Sequence, residues 1–151
     1  MSEAGDNLRR LTGLYRTMAR IRAFEETALE AHKAGEIPGP LHVSIGQEGV
    51  AAGICVNLRT DDRITSNHRG HGHAIAKGAE PKRMMAELYG RASGYCRGKG
   101  GSMHIADFSV AEHAGHDRVG LLHLQALRGT DSNRNTARTT PRNRCSTSIN
   151  P

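Results

Sequence analysis

His68-Arg69-Gly70-His71-Gly72-His73 is the densest chemical feature of this chain. It follows Arg63-Ile64-Thr65-Ser66, which reads as a short strand, and runs into Ala74-Ile75-Ala76-Lys77, which reads as a helical segment. Alternating glycines let backbone approach a ligand closely. Arginine adds a planar fork of donors matched to phosphate oxygens, and the imidazoles can donate to an anion or move a proton near neutral pH. The combination outlines an anion site, with a diphosphate as one candidate occupant. Chemistry alone leaves two other readings open. His68, His71 and His73 offer imidazoles to a metal, although no carboxylate or thiolate at helical spacing joins them. Alternatively the segment is a solvated Gly-His loop without function.

Upstream, apolar residues fall at positions 8, 11, 14, 15, 18, 21, 24, 28 and 29, which is a helical stripe running to about Ala34. Asp6 or Asn7 suits its N-cap, and Gly35 followed by Pro38 suits its stop. Ile37-Pro38-Gly39-Pro40 then reads as a rigid extended loop. Gly46 to Leu58, rich in Gly, Ala and Val, reads as a second helix with close backbone packing. Gln47 and Glu48 at its start suit a capping or a solvated role. His42, between the loop and this helix, reads as a structural hydrogen-bonder when taken alone.

Downstream, Pro81 opens a further helix that runs to Tyr89 and closes at Gly90. Gly94 to Gly101 carries four glycines among eight residues, together with Arg97 and Lys99. Lys99 is followed by Gly rather than Ser or Thr, so the order is not that of a nucleotide P-loop. A plain surface loop is the competing reading.

The bulk numbers limit the rest. The chain has 151 residues, room for one domain, with 36% hydrophobic residues, 3% aromatics and no tryptophan, so a large self-sufficient core is not expected. From Ala111 to Pro151 six arginines face three acids, so half of the net charge of +6 belongs to the tail. From Arg128 to Pro151, seventeen of 24 residues are Arg, Thr, Ser or Asn, which cannot offset the entropy of ordering. Three cysteines at wide spacings (Cys55, Cys96, Cys145) argue against a disulfide framework and a thiolate zinc site. Neither a leader pattern nor an apolar run of the ~20 residues needed to span a bilayer is visible, and a cytoplasmic location is expected. A nucleic-acid binder would need aromatic or helical presentation of its arginines, and the tail has no aromatics.

Three motifs in order are more specific than any one of them. Ile37-Pro38-Gly39 … Leu41-His42 … Ile45-Gly46-Gln47-Glu48, then His68-Arg69-Gly70-His71-Gly72, then Gly98-Lys99-Gly100-Gly101-Ser102-Met103-His104 resemble the alpha subunit of pyruvate dehydrogenase and its relatives. Arg22 … Phe24-Glu25-Glu26 and Met84-Met85-Ala86-Glu87-Leu88 agree as well, and the likeness covers about residues 8–110. The wording is closer to the pyruvate and acetoin branches than to the branched-chain branch.

The resemblance implies an α/β thiamine-diphosphate-binding fold, truncated here, whose present portion is mostly helical with glycine-rich loops and little sheet. It implies residues 8–110 as a partial alpha-subunit domain; residues 1–7 are expected to be a flexible start and, by composition, 111–151 a divergent, disordered basic tail. By the same resemblance His68 (often tyrosine in relatives) and Arg69 bind the cofactor diphosphate, and His71 reaches the reacting centre and the diphosphate. His42 lines the entrance and handles the intermediate and the lipoyl acceptor. Pro40 stands where relatives often carry a larger apolar residue against the cofactor. The implied activity is oxidative decarboxylation of pyruvate with acyl transfer to lipoyl, or acetoin cleavage. Its implied partners are a beta subunit in a two-alpha, two-beta assembly, which supplies the activating glutamate, and a lipoyl acyltransferase. Neither nucleic acid nor membrane is among them.

After Val110 the wording departs from the family. Relatives continue into a glycine-rich segment against the aminopyrimidine and a Gly-Asp-Gly … Asn element that holds Mg2+ on the diphosphate; no Gly-Asp-Gly occurs in this chain. Its expected metal ligands are therefore none, and turnover by the chain alone is not expected. The lysine-free tail reads as an out-of-frame or rearranged stretch, and Leu127-Arg128-Gly129-Thr130-Asp131 resembles a phrase found further along in relatives. The alternative function is a non-catalytic interaction fragment that docks on beta or full-length alpha subunits.

Overall fold

The computed structural model describes residues 3–59, 62–107 and 112–114. Helix α1 spans Glu3–Lys33, α2 Glu48–Cys55, α3 His71–Lys77 and α4 Pro81–Leu88, with a 3-10 turn at Gly101–Met103. Strands β1 (Ile64–Ser66), β2 (Ala106–Asp107) and β3 (Glu112–Ala114) make one small sheet in the order β1-β3-β2. The described portion is mostly helical with little sheet.

Helix α1 begins at Glu3, ahead of the expected cap, so Asp6 lies in its first turn. Acids there and His32 and Lys33 in the last turn complement the helix dipole at both ends. Gly35 takes φ +77, which lets its N–H reach His32 O at 3.0 Å and Glu36 N–H reach Ala31 O at 3.0 Å. That paired closure takes up the Ala31 and His32 carbonyls and ends the helix. The chain then turns through an exposed Pro38-Gly39-Pro40 while Ile37 is buried, and Gly39 O bonds with His32 Nε2 at 2.9 Å.

Helix α2 starts without a side-chain cap from Gln47. Glu48 instead accepts from Arg22 Nε at 2.6 Å and from Gly46 N–H at 3.0 Å, tying α2 to α1. Pro81 opens α4 at its first position as expected, where a missing N–H costs nothing.

The core gathers Ile21, Phe24, Ala28 and Ala31 of α1 with Ala51, Ala74, Ile75, Met84, Leu88 and Ile105. Among the described residues, only the second half of the α1 stripe takes part. Leu8, Leu11 and Tyr15 are 67%, 62% and 74% exposed. Length explains this: a 31-residue helix is about 46 Å long, while α2, with 8 residues, and α3, with 7, each cover about 12 Å or less.

One boundary moves. Composition places the last organised residue at Val110, yet β3 pairs in parallel with β1 (Ile64 opposite Glu112, Ser66 opposite Ala114) and antiparallel with β2. A ladder is held by backbone N–H and C=O groups, so a short strand needs no apolar side chains of its own. The remainder of the tail lies outside the described residues.

Candidate functional site

Two segments meet at the top of the core: His42-Val43-Ser44, before α2, and Asn67 to His71, which leads into α3. Asn67 Oδ1 accepts the Arg69 N–H at 2.9 Å and fixes the turn. Arg69 Nη1 then donates to Val43 O, clamping one segment on the other. His42 and His68 stack edge to face, with centroids 5.0 Å apart at 83°. His68 is exposed and Arg69 half-buried. His42 Nδ1 is buried and has no hydrogen-bond partner among the described residues. Among those residues no acid forms an ion pair with Arg69. Three of the four expected site residues, His42, His68 and Arg69, therefore lie together at this junction.

His71 does not share it. Its ring is 0% exposed, and both nitrogens are engaged inside the protein. Nδ1 lies 3.0 Å from Glu25 Oε2, and Nε2 lies 3.1 Å from Ser102 Oγ and 3.2 Å from Ser102 O. Phe24 packs edge-on against the ring at 5.6 Å. Glu25 also accepts from Ser44 twice, from Oγ–H at 2.6 Å and from N–H at 3.1 Å. Ser102 Oγ accepts the backbone N–H of His42 at 3.3 Å, which links the inner chain to the outer face.

His73 turns a third way, bonding Ser66 Oγ at 3.0 Å, and burial pushes its imidazole below the ordinary histidine range. The three histidines of the motif thus diverge, and among the described residues no group of three or more His, Cys, Asp or Glu is placed to hold a metal ion.

The glycine-rich loop answers to a different residue. Glu87 of α4, 0% exposed, accepts the N–H groups of Cys96 and Gly98 on Oε2, both at 2.8 Å, and that of Gly100 on Oε1 at 2.7 Å. Close approach dictates the glycines. A Cβ at Gly94 would fall 2.4 Å from Glu87 Oε2, and one at Gly98 2.2 Å from the Gly90 carbonyl carbon. The loop is neither a phosphate cradle nor a free surface loop, because it wraps an internal carboxylate with its amides. An open cleft lies between Pro38-Gly39-Pro40 and residues 98–103; His42, His68, Arg69 and His71 do not line it.

Glu25, Ser44, Glu87 and Ser102 are the functional-looking residues that motif reading passed over. A signal was present. Glu25 sits with Ile21, Phe24 and Ala28 at i+4, i+1 and i−3, and Glu87 with Met84 and Leu88 at i+3 and i−1, so each acid lies on the apolar face of its helix. An acid at such a position must be hydrogen-bonded when buried.

Connecting segments that bring two imidazoles and a guanidinium together, over a buried acid–imidazole–hydroxyl chain, define a scaffold with the chemistry to face an anion. A family model described as "Dehydrogenase E1 component" matches residues 16–139, and the chain belongs to that family. The match continues past Val110, where the motif-level likeness stops. Among its relatives, the alpha subunit of acetoin:2,6-dichlorophenolindophenol oxidoreductase of Bacillus subtilis is 53% identical over 94 residues, which is 62% of this chain and 28% of that protein. The protein of the same name from Cupriavidus necator is 52% identical over 99 residues, 66% of this chain and 30% of its own length. The pyruvate dehydrogenase E1 component subunit alpha of Rickettsia bellii is 41% identical over 106 residues, covering 70% and 32% respectively. The chain thus spans about 30% of the length of the relatives it matches. No helix among the described residues is long and apolar enough to cross a membrane.

Proposed function

We propose that this chain supplies part of the cofactor site of a thiamine-diphosphate-dependent 2-oxo acid dehydrogenase alpha subunit, acting on pyruvate or acetoin. The observation that carries the reading is the grouping of His42, His68 and Arg69. The Arg69 charge, which meets no acid among the described residues, fits an anionic group of diphosphate type, whereas a cation would be repelled. The cofactor on which the family in general depends supplies, when bound, a carbon nucleophile and electron sink for loss of carbon dioxide.

This chain's own residues do the rest of the work available here. Arg69 neutralises phosphate charge with the N–H groups not used on Val43 O, and His68 donates beside it. His42, edge-on to His68, holds or moves a proton at Nδ1. His71 supports the face from beneath through Ser102. Mg2+, a beta subunit in a two-alpha, two-beta assembly, the lipoyl acceptor and a cytoplasmic setting complete the reading by family resemblance, as does the parallel α/β cofactor-binding fold of the whole protein.

Calorimetric titration of the chain with pyrophosphate tests it. Losing a charge-assisted hydrogen bond costs about 1.5–3 kcal/mol, so Arg69→Ala is expected to weaken binding about ten- to a hundredfold. Equal binding by the wild type and Arg69→Ala would defeat the assignment.

A second reading has an observation of its own. The exposed row Leu8, Leu11 and Tyr15 on α1 suits a chain that docks on a beta or full-length alpha subunit without catalysing anything. Co-purification with a beta subunit, combined with no pyrophosphate binding, would favour it.

A further inference from the structure

We infer that Glu25, His71 and Ser102 form a directional hydrogen-bond relay that locks one tautomer of His71 and positions the backbone of His42. It rests on the proposed function only in that His42 is the group positioned. Four contacts carry it: Ser44 to Glu25, Glu25 to His71 Nδ1, His71 Nε2 to Ser102 Oγ, and His42 N–H to Ser102 Oγ.

Donor and acceptor counting sets the direction. An ionised carboxylate only accepts, and Glu25 already takes the N–H and O–H of Ser44, so His71 must present Nδ1–H to it. In a neutral imidazole that leaves Nε2 as an acceptor. Ser102 then points its hydroxyl hydrogen at Nε2, and its oxygen is free to receive the His42 N–H. With Glu25 ionised, this direction gives each side-chain member of the relay a partner, while the Ser102 carbonyl, 3.2 Å from Nε2, faces a lone pair. Reversing the imidazole would leave Nδ1 and a carboxylate oxygen, two acceptors, facing each other at 3.0 Å in a site without water access.

The order acid, imidazole, hydroxyl is that of a nucleophile triad. Here Ser102 is only 6% exposed and its hydroxyl oxygen is occupied by an amide, so the same chemistry is turned to positioning. The relay spans α1 (Glu25), the segment before α2 (His42, Ser44), α3 (His71) and the 3-10 turn (Ser102). It joins at one point the motifs that lie apart in the sequence. Gly72 is packed into the same junction, since a Cβ there would fall 3.1 Å from Ser44 Oγ and 3.4 Å from both Ala51 and Ile21.

Long-range 1H–15N correlation spectra of the whole labelled chain test the relay. Wild-type His71 is expected to show a protonated Nδ1 and a bare Nε2. In Glu25→Gln the amide oxygen keeps Ser44 and the NH2 group faces Nδ1, so the tautomer flips to Nε2–H, now donating to Ser102. Ser44→Ala keeps the wild-type tautomer. Ser102→Ala removes the His42 acceptor and speeds exchange of the His42 amide at least about tenfold, with α1 core amides unchanged. Wild-type His71 protonated at Nε2, or at both nitrogens, would overturn the relay. So would Nδ1–H persisting in Glu25→Gln, or an unchanged His42 exchange rate in Ser102→Ala. Should Glu25→Gln fail to fold, the wild-type spectrum and Ser102→Ala still decide. Because these signals do not depend on ligand, a failed pyrophosphate titration would count against the proposed function and leave the relay standing.

Discussion

Glu48 is where a single residue ties sequence to stability. Its carboxylate takes the Arg22 Nε–H at 2.6 Å, and that bond holds it down to about 2 from an ordinary 4.5, with the Gly46 N–H adding to the effect. A depressed carboxylate contributes stability that is fully present above its unfolded value and is lost as pH falls through the folded one. Arg22 is half-exposed, so solvent screens the pair and its effect is small. The expected outcome is that Glu48→Gln lowers urea stability at pH 7 and that the gap to the wild type closes as pH drops from 4.5 toward about 2. A gap independent of pH would show that shape rather than charge matters at this position. The pairing was not legible in the sequence, where Glu48 reads as a capping or solvated residue. Arg22 lies 26 positions away, and only the crossing of α1 and α2 brings the two together.

Helix α1 shows what periodicity can and cannot say about an element. Spacing identifies the helix and its stop at Gly35, because both depend on local geometry. It does not say which turns of the stripe are covered, because that depends on how far the neighbouring helices reach. Ile21 is fully buried while Leu11, on the same stripe, is 62% exposed. Ile21→Ala is therefore expected to cost about 2–5 kcal/mol in urea unfolding, and Leu11→Ser to fall within about 0.5 kcal/mol of the wild type. A comparable loss in Leu11→Ser would mean that the first turns pack on the chain after all. The same limit governs the glycine-rich loop. Its composition is visible in the sequence, but the partner of its amides is Glu87, set on α4 by tertiary packing.

At the scale of the whole molecule, the core that the described residues form is thin. Five of the twelve residues of its buried cluster are alanines, which bring little area, so polar closures such as those of Glu25 and Glu87 matter more than they would in a richer core. Purified alone with thiamine diphosphate and Mg2+, the chain is expected to release no carbon dioxide from pyruvate. The sequence has no Gly-Asp-Gly element, and the resemblance places the activating glutamate on a beta subunit. Decarboxylation by the isolated chain, followed by a coupled assay, would overturn that. By itself the sequence determined the family, the helices and the candidate residues His42, His68, Arg69 and His71, because motif order and helical spacing are local properties of the chain. Only the tertiary structure parted those four residues, grouping His42, His68 and Arg69 at one junction and burying His71 against Glu25 and Ser102. The physical reason is that a side chain's partner comes from whichever element packs against it, and the stretch His68-Arg69-Gly70-His71 lies at a crossing of four elements that the sequence keeps far apart.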